Sequence, residues 1–341
     1  MIVGNTGKLT IDNGGSISDT VSVDLNGDLI LKENTTVNGN YSGTGNLTAD
    51  DITLTVNGNN SGFNGNFIQN SGVTNVNNGA SLFKNVSIND GELNFNSGSS
   101  VSSGTVFNSV NSTVSIISNS TSSNEILNAL NGGTNSNLNI IVDNSNAGAD
   151  LTVDGTSITQ LTFKNTSEYS GALSGTGDVK NEGNLTVKGD ESGFTGTFTQ
   201  TNGSTVVDTT GKVFGGDKNI QAGSLNITSS DAIDYTNVHL SSGTQLNHTT
   251  TTTDQNTISS NTVDFSADAQ GASANFTATG VTGNYNIAEN IDNGKSTISV
   301  SNSNVTLGTQ QIIPAIQIII LQIRHLIYQL TAILMTIIFQ T

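Results

Sequence analysis

A single block of sequence occurs twice in this chain. Leu29-Ile30-Leu31-Lys32 returns as Leu161-Thr162-Phe163-Lys164, and Ser42-Gly43-Thr44-Gly45 as Ser174-Gly175-Thr176-Gly177. Gly91-Glu92-Leu93-Asn94 returns as Gly223-Ser224-Leu225-Asn226, and all three pairs are offset by 132. Leu54-Thr55-Val56 matches Leu185-Thr186-Val187, and Ser61–Phe67 matches Ser192–Phe198, both at an offset of 131. The duplicated stretch is therefore 29–95 against 161–227. Duplication on this scale marks a repeat architecture, in which neighbouring units complete one another's core.

The repeating unit is a string of short strands. Val21, Val23 and Leu25 alternate with polar residues and run into Asn26-Gly27; Leu29 and Leu31 lead to Asn34, then Val37 and Asn38-Gly39. Period-two alternation is the pattern of strands with one buried face. Asn-Gly supplies the positive φ of a tight turn. No segment of 1–308 shows a convincing helical period. Antiparallel hairpins also accommodate Asn-Gly. A parallel β-helix fits better, because its thin core needs few apolar residues and its coils stack Asn, Thr and Ser into side-chain ladders. The expected fold is all-β, an elongated solenoid over residues 1–308, with six coils of about 22 residues in each repeat offset.

The remainder, 309–341, has a different composition. It holds 11 Ile, the sole Pro (Pro314) and the sole Arg (Arg324), with no Gly and no Asn. Three readings are open: a membrane-spanning helix, a buried hydrophobic terminal segment, and out-of-frame translation. The third fits best. In an AT-rich gene, Asn codons AAT in series slip to ATA, which is Ile, and Thr codons ACA slip to CAA, which is Gln. The start, Met1–Gly7, has no charged segment followed by an apolar one, so no export signal is read there.

Composition excludes several classes. With no Cys there is neither a disulfide framework nor a Cys-ligated metal. Ten Lys+Arg against 27 Asp+Glu argue against nucleic acid, whose phosphates need clustered cations. Catalytic motifs are missing too: there is no G-x-S-x-G elbow. Gly294-Lys295-Ser296 lacks the first Gly of a P-loop, because Glu289 stands there. Gly43-x-Gly45 and Gly175-x-Gly177 lack the third Gly of a dinucleotide fingerprint.

Metal-ligating candidates are weak. His239 and His248, close together in a β-rich stretch, read as solvated loop histidines. Asp50-Asp51 and the set Asp19, Asp24 and Asp28 read as turn acids that keep the surface soluble. In Gly132–Leu138, Asn replaces the charged residues of a calcium nonapeptide. The alternating threonines Thr195–Thr201 have no matching array in the first copy, which rules out a regular ice-binding ladder. No catalytic, cofactor-binding or metal-ligating residue is assigned, and no cofactor is expected.

The duplicated unit resembles the passenger repeats of bacterial autotransporters. Leu54, Val56, Gly58, Asn59, Asn60, Phe63 and Gly65 occupy the family's L-x-L-x-G-N-N-x-(aromatic)-x-G pattern, and Leu185, Val187, Gly189, Phe194 and Gly196 repeat it. The second copy has Asp190-Glu191 in place of Asn-Asn. The resemblance implies a right-handed parallel β-helix on the outer surface of a Gram-negative bacterium, or secreted from it. The family reaches the membrane through a C-terminal barrel, and this sequence shows neither barrel nor secretion signal. The expected function is a non-enzymatic, adhesin-like passenger fragment contacting a host surface protein, a glycan or another copy. The alternatives are an inactive remnant of such a protein and, less favoured, a β-helix polysaccharide-degrading enzyme.

Overall fold

The computed structural model describes residues 1–15, 17, 21–117, 120–208, 214–227, 238–241, 243–250, 273–279, 282–286, 295–301 and 304–308. The terminal stretch 309–341 lies outside the described residues, as do Asp19, Glu289, Gly294 and Thr251–Thr253.

The chain winds into a β-solenoid of about 11 turns, with neighbouring strands paired in parallel. One coil shows how. Asp28–Leu31 alternates exposed, buried, half-buried, buried, and then turns into Thr35–Val37. Tyr41–Ser42 follows, and Asn46–Ala49 begins the next coil on top of Asp28–Leu31. Leu29, Leu47, Phe67, Val86 and Phe107 are successive register partners, one per coil. Their spacing makes these coils somewhat shorter than the offset of the duplication suggests. The inward positions of these strands form one continuous core. A central sheet of 16 strands carries the stack from Lys8–Ile11 to Val238–Leu240, and an eight-stranded sheet continues to Lys295–Ser301.

Corners are made where the sequence permits positive φ. Asp51 (φ 56°) turns the chain between Asn46–Ala49 and Ile52–Val56, and Asn111 (φ 47°) and Asn137 (φ 54°) take the same conformation inside the long strands Val106–Ile116 and Asn135–Asp143. Gly72 and Gly91 take positive φ in the coils between. At other corners, glycine is needed for space. A Cβ on Gly65 would overlap the carbonyl oxygen of Gly45, and one on Gly45 that of Gly27. The second copy stacks Gly177, Gly196 and Gly216 in the same way.

The aromatic residues seen as duplicated in the sequence pack as clusters. Phe83 sits against Phe63 (5.3 Å between centroids), Phe67 (5.0 Å) and Tyr41 (6.0 Å). Phe214 does the same with Phe194 (5.9 Å) and Phe198 (4.3 Å, stacked). Edge-on and offset contacts of this kind contribute beyond simple burial.

Two findings depart from the sequence reading. The first is a helix, α1 (Ser120–Asn131), where none was expected. It buries Ser123, Ile126, Leu127 and Leu130, which are spaced i, i+3, i+4, i+7. It packs against Ser100–Val101 on one side and Asn146–Ala147 on the other, in the place of a strand. Its coil, which runs from Val114 to the register partner Ile140, is longer than those before it.

The second is that the duplicated block does not return to the same face. Thr35, Leu54, Thr74, Leu93, Val114, Ile140 and Leu161 are successive register partners. Leu161 therefore stands six coils above Thr35, not above its sequence counterpart Leu29. Those six coils use less chain than the offset of the duplication, and the surplus carries it round one corner. Leu185, the copy of Leu54, accordingly lies on the eight-stranded sheet, whereas Leu54 lies on the central one.

Candidate functional site

The surface is built by the same alternation that fills the core. Between inward Leu54 and Val56, Thr55 faces out; the register places it beside Thr36 and Asn75. That column continues through Asn94, Ser115 and Ile141 to Thr162, Lys180, Thr199, Asn219 and His239. It is one in-register row, mostly half-buried and mostly amides and hydroxyls, through the strands of the central sheet from Thr35–Val37 to Val238–Leu240.

Amide ladders run at its corners. Asn77 Nδ2 donates to Asn57 Oδ1 at 2.7 Å, and Asn96 Nδ2 to Asn77 Oδ1 at 2.7 Å. Asn66 donates to Asn46, and Asn46 to Asp28, each at 2.9 Å. Asn89 donates to Asn70 at 3.1 Å, and Asn70 to Asp50 at 3.2 Å. An amide both donates and accepts, so such a ladder extends indefinitely, and a carboxylate ends it as the last acceptor. This accounts for the acids considered as calcium ligands. Asp28 and Asp50 terminate ladders, Asp24 accepts from Asn26 Nδ2 at 2.9 Å, and Asp51 accepts from Ser71. The hydrogen bond from Asn70, then that from Lys32, holds the Asp50 carboxyl below its usual range.

A buried polar clamp closes the corner of each copy. Gln69 is fully buried; its Nε2 donates to the carbonyls of Gly72, Asp90 and Glu92, and its Oε1 accepts from Thr74 Oγ1 at 2.6 Å. Gln200 repeats this with Gly203, Ala222 and Ser224, and with Thr205 Oγ1 at 2.7 Å. The sequence signal, Gln-x-x-Gly-x-Thr at both places, went unread because inward positions were sought among apolar residues.

Charged contacts lie mainly on the second copy. Lys180 reaches Glu182 at 2.6 Å, Lys164 reaches the same carboxylate at 3.8 Å, and Lys188 reaches Glu168 at 2.7 Å. The Lys180 hydrogen bond keeps Glu182 below the usual carboxylate range. A shallow depression of about 650 Å³ opens beside the end of α1, lined by Asn131, Asn135, Asp150, Asp154, Ser157 and Ser174 among others. Its acids are engaged by the backbone. Asp150 accepts from Ala172 N at 2.8 Å, and Asp154 from Thr156 N at 2.7 Å and Ser157 N at 2.6 Å. For Asp154, partial burial raises the carboxyl, but these bonds outweigh it and the net shift is downward.

The two histidines do not form a pair in one sheet. His239 is a register partner of Asn219 on the central sheet, and His248 of Ile227 on the eight-stranded sheet. No group of three or more His, Asp or Glu gathers to hold a metal among the described residues. Gly132 and Gly133 follow α1, and Asn135–Asp143 is a strand rather than a calcium turn. Thr197 and Thr199 are register partners of Asp178 and Lys180, so threonine does not recur on the preceding coil. Among the described residues, no helix is long and apolar enough to cross a membrane.

No known protein family, curated protein or solved structure matches this chain.

Proposed function

We propose that this solenoid is an adhesin-like module of the autotransporter-passenger type, displayed on or released from a bacterial surface, with no enzymatic activity. Its partner is a host surface protein, a glycan or a second copy of itself. The observation that carries this reading is the row from Thr36 to His239. It gives a partner an extended flank of hydroxyls and amides in fixed register, and many weak polar contacts in register add by avidity. The parallel solenoid and the local resemblance around Leu54–Gly65 and Leu185–Gly196 point the same way. Any membrane attachment is through a barrel outside this sequence, and nucleic acid is not a partner, given the net charge of -17.

The test is to immobilise the protein and expose it to a panel of host glycoproteins, glycans and polysaccharides, while following both retention and product release. The reading expects retention of at least one class, or self-association in solution, without bond cleavage. Release of oligosaccharide from any polysaccharide would replace it with the enzyme reading.

A further inference from the structure

Glu191 lies in the turn between Asn184–Val187 and Gly193–Phe194, and it is fully buried. Neither of its carboxyl oxygens has a hydrogen-bond partner. Its counterpart in the first copy, at the matching place of the repeat, is Asn60, also fully buried. Asn60 is satisfied. Its Oδ1 accepts from Tyr41 N at 2.9 Å, and its Nδ2 donates to Gly58 O at 3.1 Å and Ser81 O at 3.3 Å. In the first copy this place therefore takes a neutral group that both donates and accepts; in the second, Leu173 N, the counterpart of Tyr41 N, donates instead to Asp190 O at 3.0 Å.

A carboxylic acid meets that description and a carboxylate does not. The acid is neutral and carries one O–H donor beside a carbonyl acceptor; the carboxylate is charged and only accepts. The charged group acting on Glu191 is of like sign: Asp190, next to it. Tyr169, which responds to both Glu191 and Asp150, is itself buried, and its hydroxyl donates to Ala149 O at 2.9 Å. An unpaired buried carboxylate beside another carboxylate is costly.

We propose that Glu191 stands in the folded solenoid as the neutral acid, and that its ionisation loosens this turn: a proton-operated device at one corner of the second copy. Burial, with the Asp190 charge added, pushes its carboxyl up to about 8 from an ordinary 4.5. The unfolded chain loses the proton near 4.5 and the folded chain only near 8. The stabilisation is thus complete below pH 4.5, falls away between 4.5 and 8, and is absent above that. The full swing reaches about three-thousandfold in the folding equilibrium.

The experiment is urea unfolding from pH 4 to 9 for the wild type and for Glu191→Gln and Glu191→Asn, which place the first copy's chemistry in the second. Relative to both variants, the wild type is expected to lose stability steadily as pH rises to about 8. In parallel, a carboxyl-carbon NMR titration of Glu-labelled protein is expected to show one carboxyl changing charge near pH 8. Parallel stability profiles for all three proteins would overturn the proposal. So would a wild-type curve that falls on acidification relative to Glu191→Gln, because that means an ionised Glu191 held by a cation.

Discussion

Replacing Gln69 by Leu tests whether the corner clamp holds the coils together. The side chains are similar in volume, so the core stays filled and the change is in hydrogen bonding. Two N–H hydrogens of Gln69 are shared among three carbonyls at 3.1 to 3.2 Å, and its Oε1 takes the proton of Thr74 Oγ1. Losing two donor bonds costs about 1 kcal/mol each, and stranding the buried Thr74 hydroxyl adds about 1–3 kcal/mol. The expected penalty is about 3–5 kcal/mol, a large part of a typical folding free energy. Adding Thr74→Val removes the stranded hydroxyl and should return about 1–3 kcal/mol, which a double-mutant cycle reads as coupling. Urea unfolding gives the total. Hydrogen exchange locates it, because coils interact mainly with their neighbours and protection should fall first in 66–95. A Gln69→Leu protein within about 0.5 kcal/mol of wild type, or strictly additive costs in the double variant, would refute the reasoning.

Further predictions come from the same packing. Gly196→Ala puts a methyl into the carbonyl of Gly177, where the two nearest neighbours are backbone and cannot move aside; a loss of about 1–3 kcal/mol or misfolding is expected by thermal melting. Phe83→Ala empties the centre of the aromatic cluster with Tyr41, Phe63 and Phe67 and should cost about 3–5 kcal/mol in urea unfolding. Lys188→Met, at a partly exposed pair with Glu168, should shift the urea midpoint only slightly, and the difference should vanish in high salt.

The parallel solenoid was legible because period-two alternation and Asn-Gly punctuation are local signals, and the duplication showed them twice. The amide ladders were legible for a related reason: stacked coils turn a composition rich in Asn into rows of like side chains. Other features were not. Ser123, Ile126, Leu127 and Leu130 have helical spacing, but one short amphipathic helix among Ser and Asn residues is easily read as another loop. The one-face rotation of the second copy depends on the summed coil lengths, with the short coils creating the surplus and the coil that α1 lengthens reducing it, and the offset between the copies does not encode these. The exchange of Asn60 for Glu191 was visible as a departure from a pattern. That both are buried, one satisfied and one not, only the packing reveals.

The account rests on coils stacked in parallel register, and a disulfide trap tests it directly. The chain has no Cys, so introduced pairs report without background. Thr55 and Asn75 are register partners on adjacent coils, which places their Cα atoms about 4.8 Å apart. That is within bridging range, whereas Thr55 and Asn94, two coils apart, are separated by about 9.5 Å and are out of reach. The account predicts that Thr55→Cys/Asn75→Cys closes quantitatively to an intramolecular disulfide under mild oxidation and that Thr55→Cys/Asn94→Cys stays reduced. Equal oxidation of both pairs, or of neither, would contradict it.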